Sequence, residues 1–256
     1  MKKLVNPTSD SVLKISNLTK DFSGIRAVNN VSFELASGTI TAVIGPNGAG
    51  KTTLYNLISG NLATTSGSVK LDGQEILGLT ANQIVRAGIG RNFQITSVFP
   101  RLSVEQNVRA AVISLQGKQF DFWSNVKGDR DLNQAVREIL NLVGIEALAE
   151  RPVSLLSHGD RSLVEMALVL ALKPRLILLD EPTAGMSREE AKKIVQLIKQ
   201  LRRATGCTFL ITEHDLEMVF NLAELIIVMH QGKIILQGDR QAIRDSPEVR
   251  RVYLGT

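Results

Sequence analysis

The clearest chemical pattern in the chain is a glycine-rich turn that ends in lysine and threonine. A glycine, four further residues and then Gly-Lys-Thr is the spacing typical of phosphate-binding loops. Residues 40–44 before the turn are apolar and predict a buried strand, and residues 52–59 after it predict the first turns of a helix. The loop consists of Gly45, Pro46, Asn47, Gly48, Ala49, Gly50, Lys51 and Thr52.

This strand, loop and helix together predict a nucleotide site. Gly48 and Gly50 would let the backbone curl so that several N–H groups face one anion. The start of the following helix adds its positive end. Lys51 would reach the β- and γ-phosphates, and the Thr52 hydroxyl would ligate Mg²⁺. The competing interpretation is a glycine-rich turn with no ligand, and the flanking strand and helix argue against it.

Two later strand ends offer groups for phosphoryl chemistry. An apolar strand over 176–179 runs into Asp180 and Glu181, and a second one over 208–212 is followed by Glu213 and His214. Ligands of open α/β sheets bind at the carboxyl ends of the strands. Asp180 could hold Mg²⁺ through water, Glu181 could orient or deprotonate an attacking water, and His214 could sense the γ-phosphate. Without the phosphate loop, these residues would be interpreted as solvated or structural groups.

Two further features could complete such a site. Ser157 and Gly159 form a turn that opens a helix predicted from about residue 161 to 172, and a helix start can bind an anion. Phe22 ends the first predicted strand, where an aromatic ring could stack on a purine, although an aromatic at a strand end is also common in a core.

Secondary-structure patterns around these residues predict an α/β fold. Hairpins are expected within residues 12–35, about Asp72-Gly73 and about Gln231-Gly232. Serine or threonine followed three residues later by Gln or Glu predicts capping boxes at residues 80, 103 and 187. Residues 95–154 show helical patterns only, so we expect a helical subdomain (95–154) inserted between residues 1–94 and 155–256 of a single domain.

Composition narrows the class of protein. The 256 residues carry a net charge of +5 without a dense Lys/Arg block, so a nucleic-acid partner is not expected. No apolar run approaches the roughly 18 residues needed to span a bilayer, and the first ten residues lack a secretory signal pattern. The single Cys207 cannot form an intrachain disulfide, which fits a reducing compartment.

With these motifs in this order, the chain resembles the ATP-binding subunits of ABC transporters over nearly its whole length. Residues 45–52 match the Walker A motif, Gln94 the Q-loop, 156–160 the signature segment and 176–180 Walker B. Glu181 takes the place of the catalytic glutamate, His214 that of the switch histidine, and Phe22 that of the adenine-stacking aromatic. The resemblance implies a P-loop NTPase core with an N-terminal antiparallel β subdomain and an inserted helical subdomain.

The family resemblance also implies a set of ligands and roles. ATP would be bound by Phe22, the loop through Thr53, Gln94, Asp180 and, across a dimer, Ser157, His158 and Gly159. Thr52, Gln94 and Asp180 would hold Mg²⁺, and Lys51, Glu181 and His214 would act in hydrolysis. A second ATP-binding subunit, two permease subunits docked near residues 94–123 and, indirectly, a solute-binding protein are the implied partners, at the cytoplasmic face of the inner membrane.

Subgroup features are similar to those of the branched-chain amino acid and urea uptake ATPases. They are Gly88–Gln94, the signature segment, Ala184-Gly185-Met186 and the ending Val252–Gly255. Comparable endings occur in ATPases of lipopolysaccharide export, which remains an alternative, as does a soluble ABC-type ATPase outside transport. Three departures from the common family pattern are His158, Asp160 and Ser187, and we expect Asp160 to point away from bound phosphates.

Overall fold

The computed structural model describes residues 11–91, 98–115 and 129–254. Its strands, in chain order, are β1 (Ser11–Phe22), β2 (Ile25–Ala36), β3 (Ile40–Ile44), β4 (Ser66–Leu71), β5 (Gln74–Glu75), β6 (Ile89–Arg91), β7 (Leu176–Asp180), β8 (Thr208–Thr212), β9 (Leu225–His230) and β10 (Lys233–Gly238). Its helices are α1 (Lys51–Ile58), α2 (Ala81–Ala87), α3 (Val104–Leu115), α4 (Arg130–Val143), α5 (His158–Ala171), α6 (Arg188–Thr205), α7 (Leu216–Leu222), α8 (Arg240–Asp245) and α9 (Pro247–Leu254).

The N-terminal strands form an antiparallel sheet in the order β2-β1-β4-β5. Alternating apolar residues of β1 and β2 point into the core, as the period of two predicts. Asp72 and Gly73 both have positive φ, at 48° and 79°, which closes the tight turn between β4 and β5. The predicted hairpins in this part of the chain are therefore confirmed.

The second sheet has the order β10-β9-β3-β8-β7-β6 among the described residues. Strands β9, β3, β8, β7 and β6 run parallel, and β10 is antiparallel to β9. Every residue of β3 and β8 is buried, because the sheet is covered on both faces. This architecture confirms the α/β fold class, and it places the carboxyl ends of β3, β7 and β8 side by side.

Helix α1 packs between the two sheets and so fixes the loop that precedes it. Its buried side chains, Leu54, Tyr55, Leu57 and Ile58, lie in one apolar cluster with residues of both sheets. A second cluster joins α3, α4, α5 and α6 to the other face of the larger sheet. Each buried aliphatic or aromatic side chain contributes about 1.5–3 kcal/mol of hydrophobic free energy, so the position of α1 is firmly held.

Helix ends follow the capping signals in the sequence. Thr80, Ser103 and Ser187 each exchange side-chain and backbone hydrogen bonds with the residue three positions later. Helix α5 differs from its prediction, since it begins at His158 and not near residue 161, with Ser157 as its N-cap. The described part of 98–154 holds two α-helices, short 3₁₀ turns and one isolated bridge, and its status as an inserted subdomain stays a prediction.

No helix in the described ranges is both long enough and apolar enough to cross a bilayer.

Candidate nucleotide site

The glycine-rich loop lies between β3 and α1, as the sequence predicts. Gly50 is the N-cap of α1 at φ 100°, and a Cβ there would lie 2.4 Å from the Ala27 carbonyl oxygen. A Cβ on Gly45 would lie 2.2 Å from the carbonyl oxygen of Met229. Any other residue at either position would clash with backbone. The backbone thus turns tightly around a space that Asn47, Gly48 and Thr52 leave open to solvent.

Lys51 is folded back onto the loop. Its Nζ donates to the carbonyl oxygens of Gly45, at 2.6 Å, and Pro46, at 3.1 Å. Burial lowers the pKa of Lys51, and the nearby carboxylates of Glu181 and Asp180 oppose that shift. A buried ammonium held by two carbonyl oxygens can exchange them for phosphate oxygens, which bind a cation more strongly.

Asp180 is held at the end of β7 by partners on both sides of its carboxylate. The Thr212 hydroxyl donates to Oδ1 at 2.5 Å, and Arg91 Nη2 lies 3.6 Å from Oδ2. Thr212 stands opposite Asp180 in the parallel register of β7 and β8. Its role was not predicted, although a threonine at the end of an otherwise apolar strand was a signal for it.

Glu181 and His214 form the second part of the site. His214 Nε2 lies 2.5 Å from Glu181 Oε1. Glu181 has the left-handed φ of 49°, and its N–H donates to both the carbonyl and the hydroxyl oxygen of Thr212. Left-handed backbone costs a non-glycine residue about 1–2 kcal/mol, and these two bonds hold it in place. The structure therefore brings together Lys51, Asp180, Glu181 and His214, as the sequence analysis expects.

Glu213 is a buried residue of the site that the sequence analysis left without a role. Oε1 accepts hydrogen bonds from the N–H and the hydroxyl of Thr183, and Oε2 accepts one from the His214 N–H. Burial raises the pKa of Glu213, and these hydrogen bonds partly offset the rise. Glu213 thus joins the loop that follows Glu181 to the loop that bears His214.

Asp160 and Ser157 hold the signature segment together at the start of α5. The Oδ2 of Asp160 accepts the Ser157 hydroxyl at 2.8 Å, while its N–H donates back to Ser157 Oγ at 3.1 Å. That Asp160 points away from bound phosphates stays a prediction. Asp160 turns back because the serine N-caps α5 and the carboxylate reaches its hydroxyl. The neighbouring Gly159 lies against Glu190, since a Cβ there would be 3.2 Å from Glu190 Oε1, and His158 is exposed beside the same carboxylate. Within the described ranges, no hydrogen bond or ion pair joins this segment to the glycine-rich loop.

Two aromatic residues come from distant parts of the chain. Phe22 is 43% exposed at the end of β1, and the Lys20 ammonium lies 5.0 Å from its ring centroid. Tyr253 in α9 forms a hydrogen bond with the backbone of Gly45, a contact that the sequence did not suggest. Burial raises the pKa of Tyr253 to about 12 although that bond opposes the rise. Gln94, predicted to ligate Mg²⁺, lies outside the described residues.

The oxygen donors of the site fit a magnesium ion held mainly by its nucleotide. Mg²⁺ prefers oxygen ligands and is usually bound by one or two carboxylates together with phosphates and water. Asp180 offers one pre-oriented carboxylate and Thr52 an exposed hydroxyl. No group of three or more His, Cys, Asp or Glu side chains capable of holding a metal occurs within the described ranges, so a cage built from such side chains is not present there.

Sequence comparisons give relatives of nearly full length. A family model described as ABC transporter matches residues 28–184. The high-affinity branched-chain amino acid transport ATP-binding protein BraF of Pseudomonas aeruginosa is 33% identical over 252 residues, covering 96% of this chain and 99% of its own. The corresponding protein LivG of Escherichia coli is 35% identical over 254 residues, with 96% and 99% covered.

Solved structures of nucleotide-binding cassettes superpose on the chain. An ATP-binding cassette of an ABC transporter in its ADP conformation matches with a TM-score of 0.84 at 30% identity, covering 97% of this chain and all (100%) of that one. A cassette dimer in a post-hydrolysis state bound to ADP and Pi matches with a TM-score of 0.73 at 27% identity, covering 89% and 98%. The chain therefore belongs to the ABC transporter family, as one of its ATP-binding, ATP-hydrolysing subunits.

Proposed function

We propose that this subunit powers the uptake of branched-chain amino acids, or of urea and related amides, by hydrolysing MgATP. The observation that carries the proposed mechanism is the contact of Glu181 with His214 at the sheet edge that also holds Asp180 and Lys51. Phosphoryl transfer needs positioning and charge stabilisation more than covalent help, and this set of groups supplies both.

Each side chain has a distinct role in the proposed reaction. Lys51 leaves the carbonyl oxygens of Gly45 and Pro46 to neutralise the phosphates, together with the loop N–H groups. Glu181 accepts a hydrogen bond from the attacking water and draws off its proton as the water oxygen bonds to phosphorus. His214 keeps Glu181 oriented and donates to the γ-phosphate as negative charge shifts onto the leaving oxygen.

Magnesium would be held by Thr52, Asp180 and Gln94. When bound, it neutralises charge on the β- and γ-phosphates. The hydrogen bond from Thr212 to Asp180 supports this assignment, because it fixes the direction of the carboxylate. Phe22, which is 43% exposed at the end of β1, would stack on the adenine.

Dimerisation would complete the site. Ser157 and Gly159 of one subunit would close over the ATP bound by the other, so that nucleotide joins the two subunits and hydrolysis separates them. In support of this geometry, residues 157–160 are exposed or half exposed, and within the described ranges no hydrogen bond or ion pair joins them to the loop of their own chain.

Permease subunits would dock on the helical part of the chain. Phe99, Leu102 and Leu155 are exposed large apolar residues, at 57%, 37% and 67%. Backbone hydrogen bonds from residues 153 and 154 to Leu102 and Pro100 hold the two segments together, so the three residues lie on adjoining segments. Exposed apolar residues that are grouped in this way typically mark protein interfaces. A peripheral position on the cytoplasmic face of the inner membrane, and a solute-binding protein that delivers to the permeases, follow from this assignment.

Replacing Glu181 with glutamine tests the proposed mechanism. We expect phosphate release to fall about 10²–10⁴-fold, the range for losing a general base, while ATP affinity is retained because Glu181 is not among the residues that grip the nucleotide. The measurements are steady-state phosphate release and equilibrium binding of labelled ATP. Turnover close to that of the unmodified protein would remove Glu181 from the role.

The transported solute is tested by uptake in cells that lack the chain. Loss of labelled leucine, isoleucine or urea uptake, restored by the intact gene and not by Glu181→Gln, would support the proposal. Copurification with nucleic acid in place of membrane proteins would favour the soluble ATPase, and a defect in outer-membrane lipopolysaccharide with normal uptake would favour export.

A further inference from the structure

Arg91 ends the edge strand β6 and points its guanidinium into the space between α1 and the end of β7. In the sequence it is one residue of the subgroup segment 88–94, and the proposed mechanism gives it no catalytic or binding role. We propose that Arg91 is a positioning residue for magnesium: it fixes the direction of the Asp180 carboxylate and ties it to the helix that follows the phosphate loop. The inference rests on the proposed role of Asp180.

The guanidinium spans two elements through short contacts. Nη1 donates to Asn56 Oδ1 and to Ser59 Oγ, both at 2.7 Å, at the last turn of α1. Nη2 lies 3.6 Å from Asp180 Oδ2 at the end of β7. The Arg91 and Asp180 side chains are only 11% and 7% exposed, so solvent screens the pair little.

The two oxygens of Asp180 are therefore treated differently. Oδ1 accepts a short hydrogen bond from Thr212, whereas Oδ2 faces Arg91 as an ion pair beyond hydrogen-bond distance. Because Oδ2 is oriented by the charge of Arg91 but makes no short bond to the guanidinium, its lone pairs are available to Mg²⁺ or to a magnesium-bound water. Because Mg²⁺ demands near-octahedral geometry, the orientation of the Asp180 carboxylate determines how well it can bind Mg²⁺ or a magnesium-bound water.

Arginine suits this position better than lysine. A planar guanidinium can bond Asn56 and Ser59 on one nitrogen while presenting another to Asp180. A lysine ammonium could keep the charge beside Asp180 or the bonds to α1, but its single nitrogen cannot span both. We therefore expect the two substitutions to differ in severity. Glutamine removes both the positive charge and the planar guanidinium that spans the two elements, whereas lysine keeps the charge and removes only the guanidinium.

The test compares ADP binding with and without magnesium. Labelled ADP is titrated into the full chain in excess Mg²⁺ and in EDTA, and the ratio of the two dissociation constants reports magnesium bound with the nucleotide. For Arg91→Gln we expect this ratio to fall about tenfold or more, the lower end of the effect of removing a partner that orients a metal ligand. The ratio for Arg91→Lys should lie between those of Arg91→Gln and the unmodified protein. For both variants, the affinity for ADP in EDTA should change less than about twofold.

Arg202→Gln is the matched control. Arg202 also links two elements, through Nε to the Gly38 carbonyl and Nη2 to Glu224, but it does so beside the amino ends of β3 and β9, whereas Asp180 lies at the carboxyl end of β7. This variant should lose stability without changing the magnesium ratio. If Arg91→Gln fails to fold, Asn56→Ala removes one of the two hydrogen bonds that tie the guanidinium to the end of α1, and it should lower the ratio in the same direction.

The outcomes separate this inference from the proposed function. An unchanged ratio in Arg91→Gln, or in Asn56→Ala when the first variant does not fold, would overturn the inference and leave Arg91 with a structural role only. If the unmodified protein itself bound ADP no more tightly with magnesium than in EDTA, the proposed role of Asp180 would fail first.

Discussion

Replacing Thr183 with valine should destabilise the protein, and by more at neutral pH than in acid. The Thr183 hydroxyl donates to Glu213 Oε1 at 2.7 Å, and its N–H donates to the same oxygen at 3.0 Å. Valine keeps the shape and the N–H but removes the hydroxyl donor. The new methyl group faces Met218 Sδ, which lies 3.3 Å from the threonine hydroxyl, so no cavity is created.

The size of the effect depends on the charge of Glu213. A hydrogen bond to an ionised group contributes about 1.5–3 kcal/mol, and one between neutral groups about 0.5–1.5 kcal/mol. We therefore expect Thr183→Val to lower the free energy of unfolding by roughly 2 kcal/mol while Glu213 is ionised. Once Glu213 is protonated, the loss should shrink to about 1 kcal/mol or less.

The direction with pH follows from linkage. Burial raises the pKa of Glu213 above its usual 4.5 in the folded protein, so folding favours the protonated form. That contribution to stability is fully present below 4.5 and is lost as pH rises through the raised value. The Thr183 hydroxyl lowers this pKa, and its removal raises it further. The difference between the two proteins is thus largest above the folded pKa and declines as pH falls through it.

Urea denaturation across a pH series from about 8 to 4.5 measures this difference. Thr41→Val is the matched control, because the Thr41 hydroxyl is fully buried in β3 and no hydrogen-bond partner is found for it among the described residues. Its removal should be neutral or stabilising by up to about 1 kcal/mol at every pH. A loss for Thr183→Val that stayed constant across the series would refute the coupling between Thr183 and the charge of Glu213.

Two further predictions concern nucleotide contacts. Phe22→Ala should weaken ATP binding about tenfold in a competition assay, because one stacking contact is lost, whereas Phe22→Trp should bind ATP as the unmodified protein does. Equal ATP affinities of Phe22→Ala and the unmodified protein would exclude stacking. Asp160→Asn removes the negative charge of the carboxylate that accepts the Ser157 hydroxyl, and with it any repulsion of the partner's ATP phosphates. In a Glu181→Gln background, this substitution should lower the ATP concentration needed to form dimers, measured by sedimentation, by about tenfold. An unchanged concentration would contradict a repulsion between Asp160 and the phosphates.

Local signals in the sequence predicted most of the elements, because their causes are local. The Thr80, Ser103 and Ser187 capping boxes need only residues three positions apart, and all three formed. Gly144 and Gly206 end α4 and α6 in left-handed conformation, as glycine after a helical pattern predicts. Helix α5 starts earlier than predicted because the Ser157 cap and its hydrogen bonds with Asp160 outweigh the low helix propensity of Gly159.

Contacts between distant residues could not be predicted in the same way. Thr183 and Glu213 form hydrogen bonds although they are thirty positions apart in the sequence. Arg91 and Asn56 form one across thirty-five positions. Each such pair depends on sheet order and strand register, which periodicity does not encode. The sequence likewise contains Glu213, Thr212 and Tyr253 but does not indicate which residues they contact. Their part in the site therefore follows only from the structure.

The glycine-rich loop supplies its own hydrogen-bond acceptors to Lys51. Two backbone carbonyl oxygens occupy the ammonium, so an incoming anion must displace both before it gains the cation. Sulfate or orthophosphate offers a single small cluster of oxygens for that exchange, whereas a nucleotide adds a base, a sugar and further phosphates. We therefore expect small anions such as sulfate and orthophosphate to compete with ATP for this loop only weakly.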